Sequence, residues 1–88
     1  MLVHKMRNLR LKHGITLFEL ARGIDRSHQW LFKLELRDSI PSEDSQEIVS
    51  RAFEEVIASR RSSLYELERD FLLHKDSLFD QVREGEPL

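Results

Sequence analysis

Hydroxyl side chains at four points in the chain each precede a stretch of apolar residues with helical spacing. These residues are Thr16, Ser27, Ser42 and Ser63. A hydroxyl at this place accepts a hydrogen bond from an early backbone N–H and favours the start of a helix. Glu19 and Glu66, three residues after Thr16 and Ser63, complete two capping boxes. We see no strand signal, so the chain is expected to fold as helices alone.

The apolar spacing predicts five helices. We expect them over about residues 2–13, from 17 onward, over 28–36, from 43 to a break near 59, and over 64–83. Gly14 is suited to end the first helix, and the run Ser59-Arg60-Arg61-Ser62 interrupts the apolar pattern. The predicted organisation is a domain over 1–60, a helix over 63–83 packed on it, and a frayed tail over 84–88.

Size and composition exclude several classes of protein. A chain of 88 residues holds one small domain at most, not a two-domain enzyme with a cleft between domains. Without cysteine there is no disulfide, thiolate zinc site or cysteine nucleophile. The four histidines lack metal-ligand spacing, and no phosphate-binding glycine loop or nucleophile elbow is present. We therefore expect no enzyme activity, no cofactor and no metal.

Two features bear on where the protein works. Apolar runs of about three residues are too short for a membrane helix, which needs about 20. The first seven residues lack the apolar core of a secretory signal. We therefore expect a cytoplasmic protein without a membrane partner.

Charge is divided unevenly along the chain. Residues 1–42 carry a net charge of +4 and residues 43–88 a net charge of −6. A basic half beside an acidic half suggests a surface for a polyanion next to a different function. Solvated helix faces without any partner would give the same pattern.

Four blocks of sequence between residues 9 and 53 keep the intervals of a known family. The blocks are LRLKHGIT (9–16), ELA (19–21), SHQWLFKLE (27–35), and PS (41–42) followed by IVSRAF (48–53). They resemble the lambda-repressor-like helix-turn-helix family, which includes transcriptional regulators of the Xre, Cro and phage-repressor type. The resemblance covers about half of the chain. It implies a DNA-binding regulator that places the second helix of the motif in the major groove.

The resemblance also implies roles for individual residues. The start of the third helix, on the face opposite its core residues, would carry the base contacts His28, Gln29, Phe32 and Lys33. Phosphate contacts would come from Thr16, Ser27, Arg37, Ser39 and Ser42. Arg10 and Glu35 match a pair that forms a partly buried structural salt bridge in many relatives. Apart from this pair, each residue could instead be a helix cap or a solvated side chain.

Four positions depart from the family's pattern: Asp25 at the turn glycine, Arg26 at a small apolar position, Leu17 at a glutamine and Phe32 at a small polar position. Asp25 tolerates the left-handed conformation, and the stem of Arg26 can cover the edge of the core. Phe32 can contact thymine methyl groups. Alternatively, Leu17, Phe32 and Leu36 form an apolar patch that binds protein.

The last helix is expected to join two copies of the chain. Its apolar arc, wider than one coiled-coil seam needs, comprises Leu64, Leu67, Phe71, Leu78, Phe79 and Val82. One flank could pack on the other helices while the second flank meets a partner. The alternative is a helix that only covers its own core. The favoured prediction is a homodimer on double-stranded DNA with an inverted repeat of about 14–20 bp.

Two other functions stay open at this point. One is an antitoxin or anti-repressor-like adaptor that binds a second protein through its acidic C-terminal helix. The other is a helical scaffold whose helix-turn-helix has lost DNA binding.

Overall fold

A computed structural model describes residues 2–87, and its secondary structure is helical with no strand among them. The helices are α1 (Lys5–Lys12), α2 (Leu17–Ala21), α3 (His28–Leu36) and α4 (Glu43–His74). The prediction of an all-α fold is confirmed, but four helices are present in this part of the chain rather than five. Met1 and Leu88, which begin the predicted first domain and end the predicted tail, lie outside the described residues.

Hydroxyl caps begin three of the four helices. The caps are Thr16 for α2, Ser27 for α3 and Ser42 for α4, and each oxygen accepts the backbone N–H three residues later at 3.0–3.2 Å. Each cap satisfies one donor that the helix itself leaves without a partner. The capping box at Thr16 is only half formed, because the Glu19 carboxylate binds Arg60 instead.

Both ends of α1 are fixed by backbone hydrogen bonds. The helix begins at Lys5 rather than residue 2, because His4 is extended and its N–H donates to the Glu35 carbonyl at 3.0 Å. At the other end Gly14 has a φ of +60°, a conformation that suits glycine. The Gly14 N–H then reaches Leu11 and the Ile15 N–H reaches Arg10, which is the Schellman arrangement.

The fourth and fifth predicted helices are one continuous helix of 32 residues. The predicted break at residues 59–62 and the predicted cap at Ser63 are therefore wrong. Residues 43–74 contain no glycine or proline, and serine and arginine are tolerated within a helix. The helix ends at His74 rather than near residue 83. There, the Ser77 N–H and Oγ both bind the His74 carbonyl at 2.9 and 3.2 Å.

The apolar core lies where α1, α2, α3 and the first half of α4 meet. Its buried residues are Ile15, Leu20, Leu31, Leu34, Val49, Ala52 and Val56. We call residues 4–60 the head and residues 61–74, the second half of α4, the arm. The predicted packing of a C-terminal helix on the first domain differs from the structure, because the arm projects from the head and its apolar side chains are exposed. The chain accordingly spans 56 × 24 × 19 Å.

Candidate nucleic-acid interface

The third helix has one buried face and one exposed face. Leu31, Leu34 and Glu35 are buried in the head. Gln29 and Lys33 are exposed on the opposite side, and Phe32 beside them is 45% exposed. Three of the four predicted base contacts therefore share a face that is open to a ligand.

A buried ion pair holds α3 against α1. The Glu35 carboxylate is fully buried and accepts the Arg10 Nε at 2.6 Å and Nη2 at 3.1 Å. Arg7 Nη1 adds a third hydrogen bond at 3.2 Å. The remaining Arg10 nitrogen, Nη1, donates to the Ile15 carbonyl at 2.9 Å. The predicted pair thus gains a second arginine, which the spacing of Arg7 and Arg10 on one helix face could have indicated.

His28, the fourth predicted base contact, is partly covered. Its ring lies 4.1 Å from the ring of Phe18, centroid to centroid, with the two planes tilted by 31°. Phe18 itself is 67% exposed. The contact fixes the orientation of the imidazole and links α2 to the first residue of α3. No sequence signal pairs two residues ten positions apart across a turn, so the contact was not predicted.

The turn between α2 and α3 is built differently from expectation at two positions. Asp25 does not adopt the left-handed conformation. Among the described residues, only glycines have a positive φ. Arg26 is exposed; its Nη1 donates to the Asp25 carbonyl at 2.7 Å and its guanidinium lies 5.6 Å from the centroid of the Trp30 ring. The arginine therefore covers an aromatic side chain of α3 with its charged end.

Gly23 allows the same turn to approach α4 closely. A Cβ added at Gly23 would lie 2.8 Å from the Cβ and 2.9 Å from the Cγ of Glu55. These distances are shorter than ordinary carbon–carbon contacts. Glycine at this position therefore brings the turn before α3 against the long helix, a role that the sequence did not reveal.

The predicted phosphate contacts fall into two groups. Thr16, Ser27 and Ser42 cap helices, and the Ser42 hydroxyl also donates to Ser45 Oγ at 3.0 Å. Arg37 and Ser39 are exposed in the connection between α3 and α4. The second group is open to solvent, whereas the single donor proton of the Ser42 hydroxyl, which a phosphate would need, is already used by Ser45.

Arg60 joins three parts of the head, although its position was predicted to interrupt the helices. Its Nε and Nη2 donate to the two carboxylate oxygens of Glu19 at 2.9 and 2.8 Å. Its Nη1 and Nη2 also donate to the carbonyls of His13 and Gly14 at 2.8 and 3.3 Å, just past the end of α1. Hydrogen bonding to Arg60 lowers the pKa of Glu19, and the same hydrogen bond raises the pKa of Arg60.

The six residues predicted for the dimer interface lie away from α3. Leu64, Leu67 and Phe71 are on the arm, whereas Leu78, Phe79 and Val82 follow the end of α4. All six are exposed in the single chain. The structure thus separates a predicted DNA face on the head from a predicted protein face beyond it.

Neither a metal-binding cluster nor a membrane-spanning helix is present in the part of the chain that the structure describes. Within residues 2–87, no group of three or more His, Asp or Glu side chains is placed to hold a metal ion. None of the helices in that range combines the length and apolarity needed to cross a membrane.

Comparisons with protein-family models, with characterised proteins and with solved structures found no match to this chain. The resemblance to lambda-repressor-like regulators therefore depends on the four sequence blocks alone.

Proposed function

We propose that this protein is a sequence-specific DNA-binding transcriptional regulator that acts as a homodimer and reads the major groove with α3. The observation that carries the proposal is the two-sided character of that helix. Its inner face is buried, while Gln29, Phe32 and Lys33 are exposed together on the outer face. A B-DNA major groove is about 12 Å wide and admits one α-helix presented in this way.

The exposed side chains have the chemistry for reading base edges. Gln29 can form a paired hydrogen bond with the N6 and N7 atoms of adenine. Lys33 can donate to guanine or to a phosphate, and the ring of Phe32 can contact the methyl group of thymine. His28, oriented by Phe18, adds a donor or acceptor at the first residue of the helix.

The rigid attachment of α3 supports a reading role. The Glu35 carboxylate holds the inner face against Arg10 and Arg7, and Gly23 packs the preceding turn against α4. A side chain that reads a base must be held near its productive geometry, because ordering it on binding would cost affinity. The buried network supplies that rigidity without using any residue of the outer face.

Phosphate contacts would add affinity and fix the position of the head. Arg37 and Ser39 lie exposed beyond the end of α3, and residues 1–42 carry a net charge of +4. Thr16 and Ser27 are the other candidates, at the starts of α2 and α3. Cationic contacts of this kind make binding weaken as salt concentration rises.

A second candidate function is an antitoxin or anti-repressor-like adaptor that binds another protein through the arm. The observation that favours it is the exposed apolar surface of the arm next to the acids Glu66, Glu68 and Asp70. Recovery of one stoichiometric partner by affinity purification, without any preferred DNA site, would favour this function over the first.

Selection of duplexes from a random DNA library tests the proposal directly. We expect enrichment of an inverted repeat whose half-sites lie about one helical turn apart. Lys33→Ala should abolish or change the enriched sequence, whereas Lys75→Ala, an equal loss of charge outside the head, should leave it unchanged. Failure of the unaltered protein to enrich any sequence would contradict the proposal.

A further inference from the structure

The chain exposes more surface than a compact protein of its mass, and the arm is part of that extra surface. The accessible surface is 7735 Å². A compact monomer of this mass exposes only about 5400 Å², which leaves an excess of about 2300 Å². A stable protein–protein interface buries about 800 Å² on each partner. The excess is therefore large enough to supply such an interface.

The exposed apolar face of the arm continues the face by which α4 packs in the head. At 100° per residue, Leu64, Leu67 and Phe71 lie within about 40° of Phe53 and within about 80° of the buried Val49 and Val56 on the helix surface. Phe53 packs against the core of the head, whereas Leu64, Leu67 and Phe71 are about half exposed or more. One apolar face thus extends along the whole of α4 and is covered only in its first half.

We propose that this face is covered by the arm of a second copy of the chain, which runs antiparallel with Leu64 of each copy opposite Leu67 of the other. In this register the ring of Phe71 from one copy reaches the head of its partner. The inference deepens the dimer that the proposed function includes and rests on it, but the pairing itself does not require DNA.

A groove in the head lies where Phe71 of the second copy arrives. It has a volume of about 330 Å³ between α1 and α4, and its lining includes Leu9, Ile15, Phe53, Ile57 and Arg60. Leu9 and Ile57 are each about half exposed at its mouth. The antiparallel register places Phe71 opposite Arg60 and next to Ile57, so an aromatic ring meets an apolar groove.

The position of the head favours antiparallel over parallel pairing. Arg60 lies within about 40° of Leu64 around the helix, and it binds Glu19, His13 and Gly14 of the head. The head therefore occupies the same face of α4 that the arms would use. Two parallel arms would bring both heads to the same place, whereas antiparallel arms keep the heads at opposite ends.

Charge selects this register over the next one. With Leu64 opposite Leu67, Arg61 of each copy lies across the seam from Glu68 of the other, which gives two pairs of opposite charge. A shift by one heptad would place Glu68 opposite Glu68 of the other copy, and Arg61 opposite Lys75 of the other copy. Like charges across a seam are unfavourable.

The length of α4 fits the same register. His74, the last residue of the helix, falls opposite Ile57, where the partner's head begins. The arm therefore ends where further helix would collide with the partner.

Disulfide trapping tests the orientation of the two arms. The chain contains no cysteine of its own, so any cross-link must come from the introduced residues. Ile57→Cys and His74→Cys are prepared as separate proteins, checked for helix content, mixed and mildly oxidised without DNA. Antiparallel pairing predicts a cross-link in the mixture and none in either protein alone. Self-cross-linking of either protein alone would show parallel pairing and overturn the proposal. A mixture that gives no cross-link would also overturn it.

Sedimentation tests the groove with a matched pair of variants. Phe71→Ala should weaken the dimer by more than about tenfold. Leu73→Ala, which removes an exposed apolar side chain from the opposite face of the arm, should leave it unchanged. A monomer at all concentrations of the unaltered protein, or equal effects of the two variants, would overturn the proposal. Because neither experiment contains DNA, their outcome is independent of whether α3 reads bases.

Discussion

The Nε of Arg10 lies 2.6 Å from Oε1 of Glu35, and the glutamate is fully buried. This ion pair joins α1 to the inner face of α3, and Arg7 completes it. Burial removes both charges from water, so each partner depends on the other for its stability in the folded chain. These three residues hold α3 in place, and none of them lies on its outer face.

Glu35→Ala should lower the free energy of unfolding by about 3–5 kcal/mol, because it leaves Arg10 charged and without its main partner in the core. Urea denaturation followed by circular dichroism measures the loss. The double variant Arg10→Met with Glu35→Leu should lose less than Glu35→Ala, since no unpaired charge stays buried. A single variant as stable as the unaltered protein would show that the pair does not anchor α3.

Gly23→Ala should destabilise the head by about 1–3 kcal/mol, because the new Cβ would have to displace the side chain of Glu55. The φ of Gly23 is not in the positive range that favours glycine, so the loss of stability would measure the close approach to Glu55 alone. Ser59→Ala, at an exposed position on the same long helix, is the control and should change stability little. Unchanged stability of Gly23→Ala would mean that the turn can move away from α4 freely.

The Glu19–Arg60 ion pair should make stability depend on pH in the acid range. The pKa of folded Glu19 is lowered from 4.5, first by its hydrogen bond with Arg60. Its contribution is therefore present above 4.5 and is lost as the pH falls through the lowered value. Glu19→Gln should be less stable than the unaltered protein at neutral pH, and the difference should shrink in acid. A difference that stays constant with pH would contradict this assignment.

Gln29→Ala should weaken binding to the specific DNA site by about 1–3 kcal/mol and binding to random DNA very little. The reason is that a paired hydrogen bond to a base is lost while the phosphate contacts are retained. Titrations of a selected duplex and of a scrambled duplex provide the comparison. Equal losses on the two duplexes would rule out base reading by this residue.

Leu67→Asp combined with Phe71→Asp should give monomers, because two charges would enter the apolar seam of the arm. DNA binding should weaken in parallel, since a dimer contacts two half-sites and a monomer only one. Leu73→Asp, on the opposite face, is the control and should stay dimeric. A double variant that still sediments as a dimer would refute the interface.

Local signals in the sequence predicted much of the head. The hydroxyls of Thr16, Ser27 and Ser42 mark the starts of three helices, and Gly14 marks the end of α1. These signals were readable in the sequence because a helix cap depends only on backbone geometry within about four residues. One local signal was misleading. Ser63 and Glu66 form a capping box in sequence, yet they lie within a helix that no glycine or proline interrupts.

Two of the contacts that the sequence did not predict join distant positions in the chain. Arg60 meets Glu19 across 41 positions, and Gly23, in the turn before α3, meets Glu55 of α4. Neither contact leaves a periodic or local trace in the chain. The face of α3 itself was predictable, because apolar residues at Leu31 and Leu34 define the inner side and hence the outer one.

Fluorescence anisotropy on DNA from upstream of the protein's own gene tests the central claim most directly. The unaltered protein is titrated against this duplex and a scrambled duplex at two salt concentrations. A DNA-reading α3 predicts salt-dependent binding that prefers the native sequence by about 10³-fold or more. Weak binding that is equal on both duplexes would contradict it and would leave the arm as the functional surface.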